Sequence, residues 1–289
     1  MILAQHFRNP GTARPATAAL ALAALIASAT GALAGQTVKY GGIYDVSVSG
    51  FRFASATLSL ILRDNAYSAK LNMHSAGLGR IFSSGRGEAE SSGWMRGSHV
   101  QPSHYYLDSS GGSIHTNVNM ALTRGRIRQL AVSPPLKELP DRVPVTNAHK
   151  RNVLDPLSAI LMPVKGKVMD GKAACNRTLP VFDGWTRYDV QLSYKGTKTI
   201  TEGDYTGPVV ICGARWKPVA GHRENKASVQ FMANNRDMET WLAPVADLPL
   251  LTPYRIQIGT RSGTLVVQAR KIKVQQGDRK QAAVEAASE

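Results

Sequence analysis

Side chains that could run a reaction are sparse in this chain. An acyl-transfer serine on a strand-to-helix elbow would sit in G-x-S-x-G, a pattern the sequence lacks, and Ser83-Ser84-Gly85-Arg86-Gly87 reads as a flexible turn. Zinc requires three or four nitrogen, sulfur or carboxylate ligands at set spacings. His99 and His104 are separated by Pro102, while His74 and His115 lie in strand-like segments with no carboxylate at ligand spacing. No metal or other cofactor is expected. Glycoside hydrolysis would need two facing carboxyl groups; Glu88 and Glu90 share a strand face, where a pair of acids is ordinarily solvated. Asp155 is the most tempting single acid, yet its place directly before Pro156 is explained by helix capping. No catalytic residue is assigned, and a binding role is preferred over an enzymatic one.

Two other constellations carry physical weight. Cys175 and Cys212 are the only cysteines. In an oxidising compartment a pair with none left over forms one disulfide, which stabilises by roughly 3.5–4 kcal/mol in the chain-entropy model for a loop of this length. The bridge requires Cα atoms within roughly 7 Å, so the two cysteines are expected on neighbouring strands. Arg124, Arg126 and Arg128 recur at strand spacing, about 7 Å apart, and such a face would meet successive anionic groups of a polymer or a membrane. Charge that protects an edge strand gives the same pattern, and a turn at Arg124-Gly125 would leave only part of the stripe.

The elements that must position these residues are mostly strands. Tyr44, Val46 and Val48 share one face of a first strand, Leu58, Leu60 and Leu62 one face of a second, and Tyr67, Ala69, Leu71 and Met73 one face of a third, with Asp64-Asn65 turning between the last two. Such alternation implies an antiparallel meander with one wet side. It returns at Ile114, Thr116, Val118 and Met120. Four prolines between 134 and 144 mark a long basic loop. One good helix signal follows: Asp155 as cap, Pro156 in the first turn, Leu157, Ile160 and Leu161 as apolar stripe, and Pro163 as stop. Strands resume from Ala174, with Tyr188, Val190, Leu192 and Tyr194 alternating, and Val229 with Phe231 facing Trp241 across an Asn234-Asn235 turn.

The N-terminus supplies an address. Arg8 and Arg14 precede an apolar stretch over 16–26, and Ala32-Leu33-Ala34 offers small residues before Gly35, the pattern of a Sec signal peptide cleaved after residue 34. The mature protein is then expected in the periplasm or secreted, as a single β-rich domain over 35–274 with a disordered polar tail over 275–289. The full chain carries a net charge of +15, and losing Arg8 and Arg14 leaves +13. A cytosolic chain so basic would point to nucleic acid, but export removes that partner. Lipid head groups and acidic envelope polymers are the anions that such a surface would meet outside the inner membrane, with peripheral membrane association following from the first.

The hairpin from Tyr44-Asp45-Val46-Ser47-Val48 to Ala54-Ser55-Ala56, the segment Asn152-Val153-Leu154-Asp155-Pro156-Leu157-Ser158-Ala159 and the closing strand Gly263-Thr264-Leu265-Val266-Val267 together resemble a bacterial envelope family catalogued as domain of unknown function 3108. The resemblance implies a curved antiparallel sheet or incomplete barrel, similar in architecture to periplasmic lipoprotein carriers, with one short covering helix. It implies no particular activity. The expectation is a carrier-like binding protein whose concave apolar face, drawn from Leu58, Leu60, Leu62, Leu157, Ile160 and Leu161, takes an amphiphilic ligand or a hydrophobic partner segment. The alternative is an envelope scaffold that binds acidic polysaccharide or cell wall through its basic surface.

Overall fold

The structure, a computed structural model, describes residues 37–79 and 85–277. The segment expected as a signal peptide, 1–34, and nearly all of the expected polar tail lie outside the described residues. The first seven strands are β1 (Thr37–Val48), β2 (Phe51–Arg63), β3 (Ala66–Ser75), β4 (Arg86–Arg96), β5 (His99–Gly111), β6 (Ile114–Thr123) and β7 (Arg126–Ser133). After a long connection come β8 (Met162–Pro163), β9 (Thr178–Phe182), β10 (Arg187–Ile200), β11 (Gly207–Ala220), β12 (Met238–Pro244), β13 (Leu250–Thr260) and β14 (Gly263–Gln276). All pair antiparallel in one open sheet ordered β7-β6-β5-β4-β3-β2-β1-β14-β13-β12-β11-β10-β9, with β8 beside β13. Two meanders are thus zipped together where β14 returns to β1, in register from Val38 opposite Gln276 to Val48 opposite Leu265.

Period two decides which side is dry. Val38, Tyr40 and Tyr44 of β1, Leu58, Leu60 and Leu62 of β2, Tyr67 and Ala69 of β3, and Val118, Met120 and Leu122 of β6 all enter one core, while the intervening polar residues face water. Register shifts at Ile43/Tyr44, Ser92/Gly93 and Tyr194/Gly196 are bulges, which bend a strand and increase its twist. Gly93 is required at one of them, because a Cβ there would lie 2.2 Å from the Gln101 carbonyl oxygen.

The sheet's two edges, β7 and β9, do not pair with each other; the connection between β7 and β8 spans them. Val153 N–H donates to Gly125 O at the β6–β7 turn (3.0 Å), Leu154 N–H donates to Pro180 O on β9 (2.7 Å), and Phe182 N–H returns to Leu154 O (2.9 Å). Trp185 Nε1 adds a bond to Pro134 O at 2.8 Å. We call residues 148–163 the strap.

Several expectations change here. The covering helix is a single 3₁₀ turn, Ser158–Ile160, because Leu161 turns extended and Met162 and Pro163 pair with Leu251 and Leu250. Two short α-helices went unforeseen: α1 (Gly171–Cys175), capped by Asp170, and α2 (Ala227–Asn234). Val229 and Phe231 therefore lie on α2 and not on a strand. Their two-residue spacing imitates a strand, but none of the helix's side chains is buried, so no sheet face selects that pattern. β14 also runs to Gln276, past residue 275 where the tail was expected to begin. No helix among the described residues is long and apolar enough to cross a membrane.

Candidate functional site

The strap is anchored by one acid. Asp155 is 0% exposed, and its Oδ1 accepts the backbone N–H groups of Leu157 (3.0 Å) and Ser158 (2.8 Å). Asp155 was expected to cap a helix; its carboxylate instead holds the turn at Pro156-Leu157 that leads into the 3₁₀ helix, whose own N-cap position is Leu157. Its Oδ2 accepts the hydroxyls of Ser91 on β4, at 3.0 Å, and of Ser158. The Tyr67 hydroxyl of β3 lies 2.6 Å from Ser158 Oγ, which ties strap, β3 and β4 into one buried network. Burial pushes the Asp155 carboxyl above its ordinary range, and the four donors only partly offset this. The Tyr67 and Tyr105 hydroxyls are likewise pushed up, first by burial and then by the nearby Asp155. Ser91 and Ser158 are buried too, so this serine–carboxylate arrangement is sealed from solvent and its role is to hold the strap.

On one side of the strap lies an open apolar groove of about 220 Å³. The strap contributes Pro156, Ala159 and Ile160, and the sheet contributes half-buried positions such as Val190 of β10, Ala214 of β11, and Ile256 and Ile258 of β13. Glu239 is the sole acidic residue of its lining among the described residues; its Oε1 accepts Trp241 Nε1 and its Oε2 meets Lys195 Nζ at 3.0 Å, so the charge is already engaged. A second groove, about 600 Å³, is lined by the strap, the β6–β7 turn, the entry into β5 from Ser98 to Gln101, and the chain entering β9. Arg124, Lys165 and Arg177 line it, and no Asp or Glu among the described residues does.

Of the residues expected to form a concave apolar face, Ile160 alone lines the apolar groove. Leu58, Leu60 and Leu62 are sealed in the core, and Leu157 and Leu161 belong to the same core. Leu161 also borders the basic groove. Arg124 adopts positive φ (50°) in the β6–β7 turn, so the three-arginine stripe is broken: Arg126 and Arg128 stay exposed on edge strand β7, while Arg124 turns to the basic groove. Cys175 and Cys212 are bonded with Cα atoms 5.3 Å apart. Cys175 ends α1, however, so the bridge pins a helix onto β11 and does not join two strands. Glu88 and Glu90 both pair with Lys70, at 2.6 and 2.8 Å. His115 meets Asp108 at 2.8 Å and His104 meets Asn119 at 3.2 Å.

Sequence reading missed Lys165 and Arg177 in the basic groove, as well as Ser91 and Tyr67 beneath the strap. No local pattern marks them, since the strap brings them together from distant segments. The apolar groove did leave a trace: Val190 and Leu192 alternate on β10, and both line it.

A single open antiparallel sheet bridged by a strap defines a β-barrel-like protein. The chain belongs to the family of proteins of unknown function DUF3108, whose model matches residues 43–270. Among solved structures it is similar to a β-barrel-like protein of domain of unknown function DUF1849 from Brucella abortus, with a TM-score of 0.51 and 9% identity over 82% of this chain and 98% of that one. At that identity the likeness is one of fold. No curated protein matches the chain.

Proposed function

We propose that this is an exported, non-enzymatic binding protein that takes the apolar part of an amphiphilic molecule, or a hydrophobic segment of a partner, into the groove between strap and sheet. The observation that carries this reading is that groove itself: an open apolar trough of about 220 Å³ whose lining is contributed by the five strands β9–β13 and the strap. Small-molecule pockets hold roughly 300–1,000 Å³, so its size suits a stretch of acyl chain or a few side chains rather than a whole lipid. Export is supported by the Ala32-Leu33-Ala34 site after a short apolar run and by the disulfide, which suits an oxidising compartment.

Titrating mature protein with an anionic phospholipid and its neutral counterpart, at low and high salt, tests the reading. Both should bind. The anionic lipid should lose its advantage at high salt, because exposed charges are screened over about 8 Å at physiological ionic strength, while the apolar share persists. Affinity for neither lipid would overturn the carrier reading. A salt-sensitive preference for acidic polymer alone would favour a second reading, an envelope scaffold acting through its basic surface, which Arg126 and Arg128 exposed along edge strand β7 would serve. For export, N-terminal sequencing of periplasmic protein should return Gly35; an intact Met1 would contradict cleavage.

A further inference from the structure

We propose that the groove between the β6–β7 turn, the strap and the start of β9 binds a phosphate group, held by Arg124, Lys165 and Arg177. The three cations come from three separate segments of the chain and line one groove of about 600 Å³ that contains no acidic residue among those described. None of the three takes part in an ion pair among the described residues. Cations gathered without acids repel one another, and an anion relieves that repulsion.

Arg177 is the positioned member. It is half-buried, and its guanidinium donates to Pro163 O (3.1 Å) and Ala173 O (2.6 Å), which fixes the fork and uses two of its five N–H donors. Its charge has no carboxylate in contact, and burial alone acts on its pKa, pulling it down. Asn176 contributes beside it: its Oδ1 accepts Tyr194 N–H, so its amide N–H₂ is left to donate. A carboxylate offers two oxygens and satisfies one arginine fork, whereas a phosphate offers three or four acceptors to several donors at once. Three cations lining one groove therefore favour phosphate. At about 600 Å³ the groove exceeds a bare phosphate ion, so the group arrives attached to something larger, either a soluble phosphate ester or a lipid head group. This site needs no occupant in the apolar groove, so it can hold or fail independently of the carrier reading.

Calorimetric titration with glycerol 1-phosphate, glycerol and succinate tests it. Glycerol phosphate should bind, glycerol should not, and succinate should bind at least tenfold more weakly. The double variant Arg124→Met/Lys165→Met removes two side chains that make no hydrogen bond or ion pair among the described residues, so folding is preserved; it should weaken glycerol phosphate at least tenfold. Arg177→Met should do so as well, with thermal unfolding read alongside because it also releases two carbonyls. Competition by phosphatidylglycerol micelles would identify a lipid head group as a source, and its absence a soluble ester. Absence of glycerol phosphate binding, equal binding of succinate, or a double variant that binds like wild type would each overturn the assignment.

Discussion

Asp155→Ala is expected to lower the unfolding free energy by about 3–5 kcal/mol, because each buried donor left without an acceptor costs roughly 1–3 kcal/mol. The Leu157 and Ser158 N–H groups lose their acceptor where no water reaches, since Asp155 and Ser158 are both 0% exposed. The hydroxyls of Ser91 and Ser158 can turn toward each other, 2.8 Å apart, and so account for little of the loss. Asp155→Asn should recover at least half of it, because its Oδ1 keeps both backbone bonds and the hydroxyls can accept from its amide. The pair also reports a titration. Burial raises the Asp155 pKa in the folded state, so the folded chain holds that proton more tightly than the unfolded chain. The stabilisation is full below the unfolded-state pKa and is lost as pH rises through the folded-state one. Wild type should therefore lose stability relative to Asp155→Asn as pH increases. The half-buried carboxylates with lowered pKa values, among them Asp108, Asp141, Glu90 and Glu239, act in the opposite sense, but equally in both proteins. Chemical denaturation across pH reads the difference, and a constant difference would show that Asp155 does not titrate as described.

Replacing both cysteines, as Cys175→Ser/Cys212→Ser, is expected to cost about 4 kcal/mol. The bridge closes a sequence separation of 37 residues, and the chain-entropy model assigns a loop of that size close to this value. The consequence reaches the groove. Cys175 and Cys212 pack in a small core with Met162, Leu192 and Leu242, and those three residues also line the apolar trough. The double variant should therefore lose amphiphile affinity as well as stability. A change below 1 kcal/mol in denaturant unfolding would mean that the core alone holds α1 on β11.

Strand content was legible in the sequence because period two is a local signal. Leu58, Leu60 and Leu62 alternate in sequence and are buried together in the core, whereas the pairing of Tyr44–Val48 with the closing strand, some 220 residues on, has no local signal. A local backbone-binding role for Asp155 was also legible, since Asp before Pro156 has a local purpose. What surrounds that carboxylate was not, because Ser91 and Tyr67 lie 64 and 88 residues earlier in the chain, numbers fixed by topology and invisible to any window. The helix expected over the strap failed for a tertiary reason: Met162 and Pro163 gain a place beside β13 that a continuing helix would forfeit. The arginine stripe failed for a local one, a turn at Arg124-Gly125 with positive φ at both residues. The apolar face was anticipated on the wrong half of the sheet, because fully alternating leucines mark a filled core, whereas an open trough is lined by residues such as Val190 and Ile256 that stay half-buried.

The central claim is that the trough between strap and β9–β13 receives an apolar chain, and blocking it is the most direct test. Ala214 lines the trough on β11 and is half-buried, so Ala214→Trp places an indole in the space without cutting into the sealed core. Titrated with a neutral lysophospholipid at high salt, where surface charge contributes least, this variant should bind at least tenfold more weakly than wild type while keeping its melting temperature and its response to glycerol 1-phosphate. Wild-type affinity in a folded Ala214→Trp protein would contradict the account.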